Sequence, residues 1–245
     1  MNRRRTFATV LRIGRQLRHD PRTLALLLLV PSVLLGLLSW ILQTRPGAFN
    51  HFAPSMLGVF PLTVMFTVTS VATLRERTYG TLGRLLTLPL TKPEFVVGYA
   101  LAFGILATAQ GVLVSGLSFG VYGLHVAGSP WLIVVVAVLN ALLGTALGLA
   151  LSALASSEFQ AVQFMPAFIF PQLLLCGIIV PRSDLPNMLH WISNVLPLSY
   201  AIDATSRVAT SPTMSGALLG DIAAVVGFVV VALVAGAGTL RRRTR

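Results

Sequence analysis

Long apolar runs separated by short polar connectors set the pattern of this 245-residue chain. Their length and the absence of strict alternation predict helices rather than strands. Residues 24–42 form the first run, 19 positions without a charge. At 1.5 Å per residue they would extend about 28 Å, close to the thickness of a bilayer's hydrocarbon core. Asp20-Pro21 just before it suits a helix start. Five further runs follow at 54–74, 95–122, 131–155, 161–180 and 217–240. Pro61 lies inside the second, and Pro166 and Pro171 inside the fifth. Proline in a membrane helix predicts a kink whose freed carbonyl finds another donor. Trp131 opens the fourth run at a position suited to the interfacial aromatic belt.

Two segments depart from this pattern. In 3–20, Phe7, Val10, Leu11, Gly14 and Leu17 fall on one side at helical spacing, with Arg12 and Arg15 away from the stripe. This predicts an amphipathic helix lying in the membrane interface. A solvated basic tail that only fixes topology is the plainer alternative. Arg4-Arg5-Thr6-Phe7 resembles a twin-arginine signal core, but charges continue to Arg22 and no apolar region follows at the right distance. In 181–216 the apolar runs are short and punctuated by Pro186, Pro197 and Pro212. Met188, Leu189, Ile192, Val195 and Leu196 form a helical stripe too short to span, which predicts interfacial or re-entrant helices packed against the bundle. The expected architecture is an all-α membrane protein with six transmembrane helices.

Composition supports this reading. Hydrophobic residues make up 55% of the chain and charged residues 10%, too few to cover a soluble surface. The net charge of +11 would suggest nucleic acid in a soluble protein. Here its placement points to the positive-inside rule instead. With the N-terminus inside, the cytoplasmic segments hold 15 of the 18 basic residues and the outer segments 3. Both termini are therefore expected in the cytoplasm. The connector 156–160 has no basic residue and gives no support. Cys176 is the only cysteine, so no intrachain disulfide can form, and it is read as a small buried hydrophobe.

Candidate chemistry is sparse. His19, His51, His125 and His190 are scattered, and no His, Glu or Cys cluster has metal-ligand spacing. The sole lysine sits in Thr91-Lys92-Pro93, so there is no P-loop and no expected ATP site. No acidic residue lies at the centre of a run, where an ion-coupled carrier keeps its relay. Energy is then expected from another subunit. Gln110, Asn140, Gln163 and Gln172 are the polar residues at membrane depth. They suit interhelical hydrogen bonds, or a substrate path. Gly116 to Gly120 and Gly144 to Gly148 are Gly-x-x-x-Gly spacings that permit close helix packing.

Arg75-Glu76-Arg77-Thr78-Tyr79-Gly80-Thr81-Leu82, continued by Arg84-Leu85-Leu86-Thr87-Leu88-Pro89-Leu90, resembles the ABC-2 family of transporter permeases. The likeness is to the daunorubicin-resistance type of drug-exporter permease, in which such a block follows the second span. A second block also matches, Phe159-Gln160-Ala161-Val162-Gln163-Phe164-Met165-Pro166, then Gly177-Ile178-Ile179-Val180-Pro181 and Leu196-Pro197-Leu198-Ser199-Tyr200. The resemblance runs through nearly the whole chain in order and implies a single ABC-2 type transmembrane domain over 1–245. It implies an exporter of hydrophobic or amphiphilic substrates (drugs, antibiotics or lipids) in a bacterial plasma membrane. It also implies a second permease subunit, identical or different, and two copies of an ABC ATPase subunit. ATP and magnesium would be used by that ATPase, with no cofactor bound by this chain and no catalytic residue of its own. Arg75, Glu76, Arg77, Gly80, Thr81 and Leu82 would couple to the ATPase. The helix at 3–20 would be the elbow helix, and 181–216 the re-entrant helices that cap the exit. The chain is short for the family, and its small first outer loop leaves no room for a large extracellular domain. An ion-coupled secondary transporter and a non-transporting membrane scaffold remain the alternatives from the residues alone.

Overall fold

The computed structural model of the protein describes residues 3–45, 47–78 and 92–239. Among them lie nine α-helices. They are α1 (Arg3–Arg18), α2 (Pro21–Ile41), α3 (Ala48–Thr78), α4 (Lys92–Gly120), α5 (Pro130–Leu151), α6 (Glu158–Leu175), α7 (Asn187–Ser193), α8 (Pro197–Thr210) and α9 (Gly216–Thr239). A short 3-10 turn, Arg182–Asp184, precedes α7. Five of the helices, α2, α3, α4, α5 and α9, are long and apolar enough to cross a membrane. The protein is a multi-pass, all-helical membrane protein.

The helix starts follow local chemistry. Asp20 caps α2, its carboxylate accepting from the Thr23 amide at 3.2 Å and the Thr23 hydroxyl at 2.6 Å, with Pro21 in the first turn. Ser157 caps α6 by accepting from the Gln160 amide, and Gln160 in turn accepts from the Ser156 amide and hydroxyl. This reciprocal arrangement satisfies donors that a helix start leaves free. It moves the start of α6 to Glu158, inside the expected connector. The same helix stops at Leu175, short of 180, because Gly177 adopts a φ of +95° that a helix cannot continue. Its 18 residues include Gln160, Gln163 and Gln172, which keep it out of the long apolar set. The second span is longer than expected, since α3 begins at Ala48 and includes Pro54 as well as Pro61.

The amphipathic helix at the N-terminus forms, with a different orientation from the one its stripe suggests. Thr6, Thr9, Ile13 and Leu17 are the buried face, whereas Phe7 and Leu11 are exposed. The inward face packs on α4, and Gly98 makes the approach possible, since a Cβ there would lie 2.8 Å from the Thr9 side chain.

Helix α5 is the centre of the bundle, packing against α3, α4, α8 and α9. Its contact with α3 is backbone on side-chain-free backbone. A Cβ on Gly144 would lie 2.1 Å from the Leu62 carbonyl oxygen, and one on Gly148 2.5 Å from that of Phe66. No side chain fits in that gap. Gly116 and Gly120 have the same spacing, but among the described residues a Cβ on either would meet nothing within 4 Å. Two apolar clusters flank the seam. One joins Ile13, Leu17, Leu27, Phe95, Tyr99 and Phe103 at the α1 end. The other joins Leu35, Leu57, Val114, Ile133, Ala204 and Val208 at the opposite end. There α8 is inserted among α3, α5 and α9, and the α4–α5 connector bonds to its last turn through Ala127 and Gly128.

The two glycine pairs are expected to respond oppositely to substitution. Gly144→Val forces α3 and α5 apart and should cost about 2 kcal/mol or more. Gly116→Ala should be neutral or stabilising by up to about 1 kcal/mol, because it removes backbone entropy at an open position. Thermal unfolding of the detergent-solubilised variants distinguishes the two.

Candidate functional site

The charged residues of the last turn of α3 are drawn into two ties. Arg75 makes a bidentate pair with Glu158 at the start of α6, Nε to Oε1 and Nη2 to Oε2, both at 2.9 Å. Glu76 turns the other way. Its Oε1 accepts from Arg12 Nη1 of α1 at 3.1 Å, and Arg12 Nη2 donates to the Tyr99 hydroxyl of α4 at 2.7 Å. Consecutive residues thus attach α3 to α6 on one side and to α1 and α4 on the other.

The two ties differ in surroundings. The Arg75 and Glu158 side chains keep 50% and 40% of their exposure, so solvent screens them and the pair is worth a few tenths of a kcal/mol. The hydrogen bonds from Arg75 hold the Glu158 carboxyl below its ordinary value of 4.5. Asp20 is likewise held low by its bonds from the Thr23 hydroxyl and amide. Glu76, in contrast, is only 6% exposed, and its Oε2 has no hydrogen-bond partner. A carboxylate so placed depends on its cation, because removing one partner strands the other charge in a poorly solvated site.

Of the residues expected to couple to an ATPase, Arg75 and Glu76 are therefore brought together at the end of α3. Gly80, Thr81 and Leu82 lie outside the described residues, as does the side chain of Arg77. Glu76 faces the interior, where Arg12 is its partner. Arg12, Tyr99 and Glu158 are the members of this constellation that sequence reasoning did not assemble. Arg12 was expected in solvent. Its partners lie 64 and 87 residues away, a separation over which helical periodicity carries no information.

The polar residues at membrane depth have separate roles. Gln110 is fully buried and donates to the Leu27 carbonyl, tying α4 to α2. Gln172 donates to the Phe168 carbonyl beside Pro171 and accepts from the Leu198 amide, holding the start of α8. Asn140 is fully buried among Gly58, Ile202 and Thr205, with neither amide atom partnered. Gln163 is exposed on α6.

The opposite end has its own charged centre at Arg182. It donates to the Asp203 carboxylate, to Asn194 Oδ1 and, at 3.2 Å, to Ser193 Oγ. Its guanidinium lies 5.4 Å from the centroid of the Tyr200 ring, a cation–π distance. Arg207 pairs with Asp221 at 2.7 Å, joining α8 to α9. These bonds fix the 182–210 segment on the bundle.

The description of the ABC-2 type transporter domain matches residues 5–209, from α1 through α8. The chain belongs to the ABC-2 type transporter family. Curated relatives agree. The chain is 31% identical over 155 residues to the Escherichia coli K12 protein named "Probable multidrug ABC transporter permease YbhR", covering 63% of this chain and 42% of that protein. It is 25% identical over 217 residues to the Bacillus subtilis "Linearmycin resistance permease protein LnrN", covering 87% and 55%. It is 30% identical over 157 residues to the Dictyostelium discoideum "ABC transporter G family member 20", covering 63% and 21%. The matches thus take in between about a fifth and just over half of each relative.

The two ties are expected to separate on acidification and mutation. The Glu158 pKa is lowered in the folded protein, so its contribution is present above the ordinary carboxylate value and is lost as pH falls through the lower folded value. Hydrogen exchange at the 152–157 connector should rise over that window, and Glu158→Gln should flatten the response. Arg12→Ala should destabilise by about 2 kcal/mol, discounted for the partial exposure of Arg12, and Glu76→Ala in the same chain should restore part of the loss. A double-mutant cycle by thermal unfolding measures both.

Proposed function

We propose that this chain is the membrane-spanning permease subunit of an ATP-driven exporter that moves hydrophobic or amphiphilic compounds out of the cytoplasm. The observation that carries the proposal is the family match over 5–209 laid on a bundle whose α3 ends in two interhelical ties. The last turn of α3 carries Arg75, Glu76 and Arg77, the first residues of the block through Leu82 expected to meet the ATPase. A coupling segment must attach firmly to a span, and Arg75 and Glu76 supply that attachment. The multidrug and antibiotic-resistance names of two relatives favour apolar or amphiphilic cargo.

In this reading α6 is the sixth membrane-crossing element despite its polarity. Its 18 residues reach about 27 Å at 1.5 Å per residue. Six crossings return the chain to its starting side, in accord with basic residues concentrated at both termini and in 75–94. Helix α1 is the elbow helix, with Phe7 and Leu11 toward lipid. The Arg182 centre and α7–α8 form the outer cap. Two permease subunits and two ATPase subunits make the complex. ATP and magnesium act on the ATPase, and no bond is made or broken on this chain.

Two measurements test the reading. Mass spectrometry of the tagged chain isolated from native membranes in mild detergent should find an ABC ATPase in near-stoichiometric amount. Its absence, where known complexes survive, would sink the exporter assignment. A cysteine at Thr87 should react only with reagents that reach the cytoplasm, and one at Asn187 with reagents added outside. The reverse labelling would invert the topology.

A further inference from the structure

Beneath α1 lies a cavity of about 260 Å³, bounded by α1, α2, α3 and α4. Its wall is mostly apolar, including Leu17, Leu26, Val71 and Phe103. Three charged residues, Asp20, Arg75 and Glu76, also line it. Arg75 is held bidentately by Glu158, and Glu76 Oε1 is held by Arg12. Asp20 is bonded by Thr23, with the Arg75 and Arg22 cations near it. In addition, the Oε2 of the 94%-buried Glu76 side chain has no donor. A buried acceptor left without a donor carries the desolvation penalty of an unmade hydrogen bond, and a larger one when it is charged. A ligand that supplies a donor and a positive charge recovers that penalty.

We propose that this cavity binds the ammonium-bearing end of a cationic amphiphile. The ammonium donates to Glu76 Oε2 and meets its buried carboxylate, and the hydrocarbon lies against Leu17, Leu26, Val71 and Phe103. The volume is slightly below the range of whole-ligand pockets, about 300–1,000 Å³, so the cavity takes the head and first part of the chain while the rest extends outward. An anionic amphiphile meets two carboxylates and an already occupied arginine. A neutral alcohol offers the donor without the charge. The assignment goes beyond the exporter reading, since it concerns binding to this chain alone and requires no ATPase, cargo movement or direction.

The test uses the full chain in nanodiscs with dodecylamine carrying a diazirine in its hydrocarbon chain. After photolysis, label should map to α2, α3 and α4 around Leu26, Val71 and Phe103. The matching dodecanol probe should label these positions about tenfold less, the difference expected of a charge-assisted hydrogen bond. Glu76→Gln should lose a similar factor. Should that variant fail to fold, Ala72→Phe decides, because it fills the cavity and leaves every charge in place, and it should abolish labelling at an unchanged melting temperature. Nanodiscs with and without phosphatidylethanolamine distinguish the source of the amine. Competition by the lipid assigns the site to a bilayer headgroup, and its absence assigns it to a free amphiphile. Equal labelling by the amine and the alcohol, label mapping elsewhere, or full labelling of folded Ala72→Phe would overturn the proposal. None of these results depends on whether an ATPase accompanies the chain.

Discussion

The backbone of α5 rests directly on that of α3 at Gly144 and Gly148, and the other helices are arranged around that seam. Within a bilayer there is little hydrophobic drive to bring two apolar helices together, because lipid tails solvate them equally well. Close approach supplies the attraction instead, through dispersion contacts along the whole length of the interface. Once α3 and α5 are joined, α4, α8 and α9 find a central helix with defined grooves. Fully buried Phe66 and Leu62 lie on the α3 side of this contact, and Leu143 on the α5 side. They show how tightly the seam is closed beside the glycines.

Charge is handled by position. The ion pairs found among the described residues lie at the two ends of the bundle, where α3 meets α1 and α6 and where the 182–210 segment meets its neighbours. Between the ends the polar side chains are amides and hydroxyls, which cost less to bury than charges and can bond helix carbonyls. Gln110 and Gln172 do this across helices, and Ser118 and Thr145 within their own. Asn140 is different. Its bare amide beside α8 is a polar site with unmet bonding capacity at the point where the inserted helix meets α3 and α5.

Much of this was legible in the residues. Asp20-Pro21 marked a helix start, five of the six expected apolar runs are helices long enough to cross a membrane, and the Gly144–Gly148 spacing marked a close contact. Gly116 and Gly120 carry the same signal, yet no described residue lies within 4 Å of a Cβ there, because spacing identifies a smooth face without saying which element, if any, lies against it. The fifth run was harder to bound. A reciprocal Ser157–Gln160 cap extends α6 backward, and Gly177 ends it early, both local effects that a hydropathy pattern does not register. The inward turn of Arg12 was hidden for a different reason. An arginine on an amphipathic helix is read as solvated unless its distant acid is known, and Glu76 belongs to a block that looked wholly external.

The placement of Glu76 also alters what that block can do. Arg75 and Glu76 are adjacent, yet they bind partners on opposite sides of α3. A displacement of its last turn therefore loads the α6 tie and the α1–α4 tie together. The α6 tie is exposed and weak, so it yields at little energetic cost. The Arg12–Glu76 tie is buried on the acid side and resists, since separating it strands a charge.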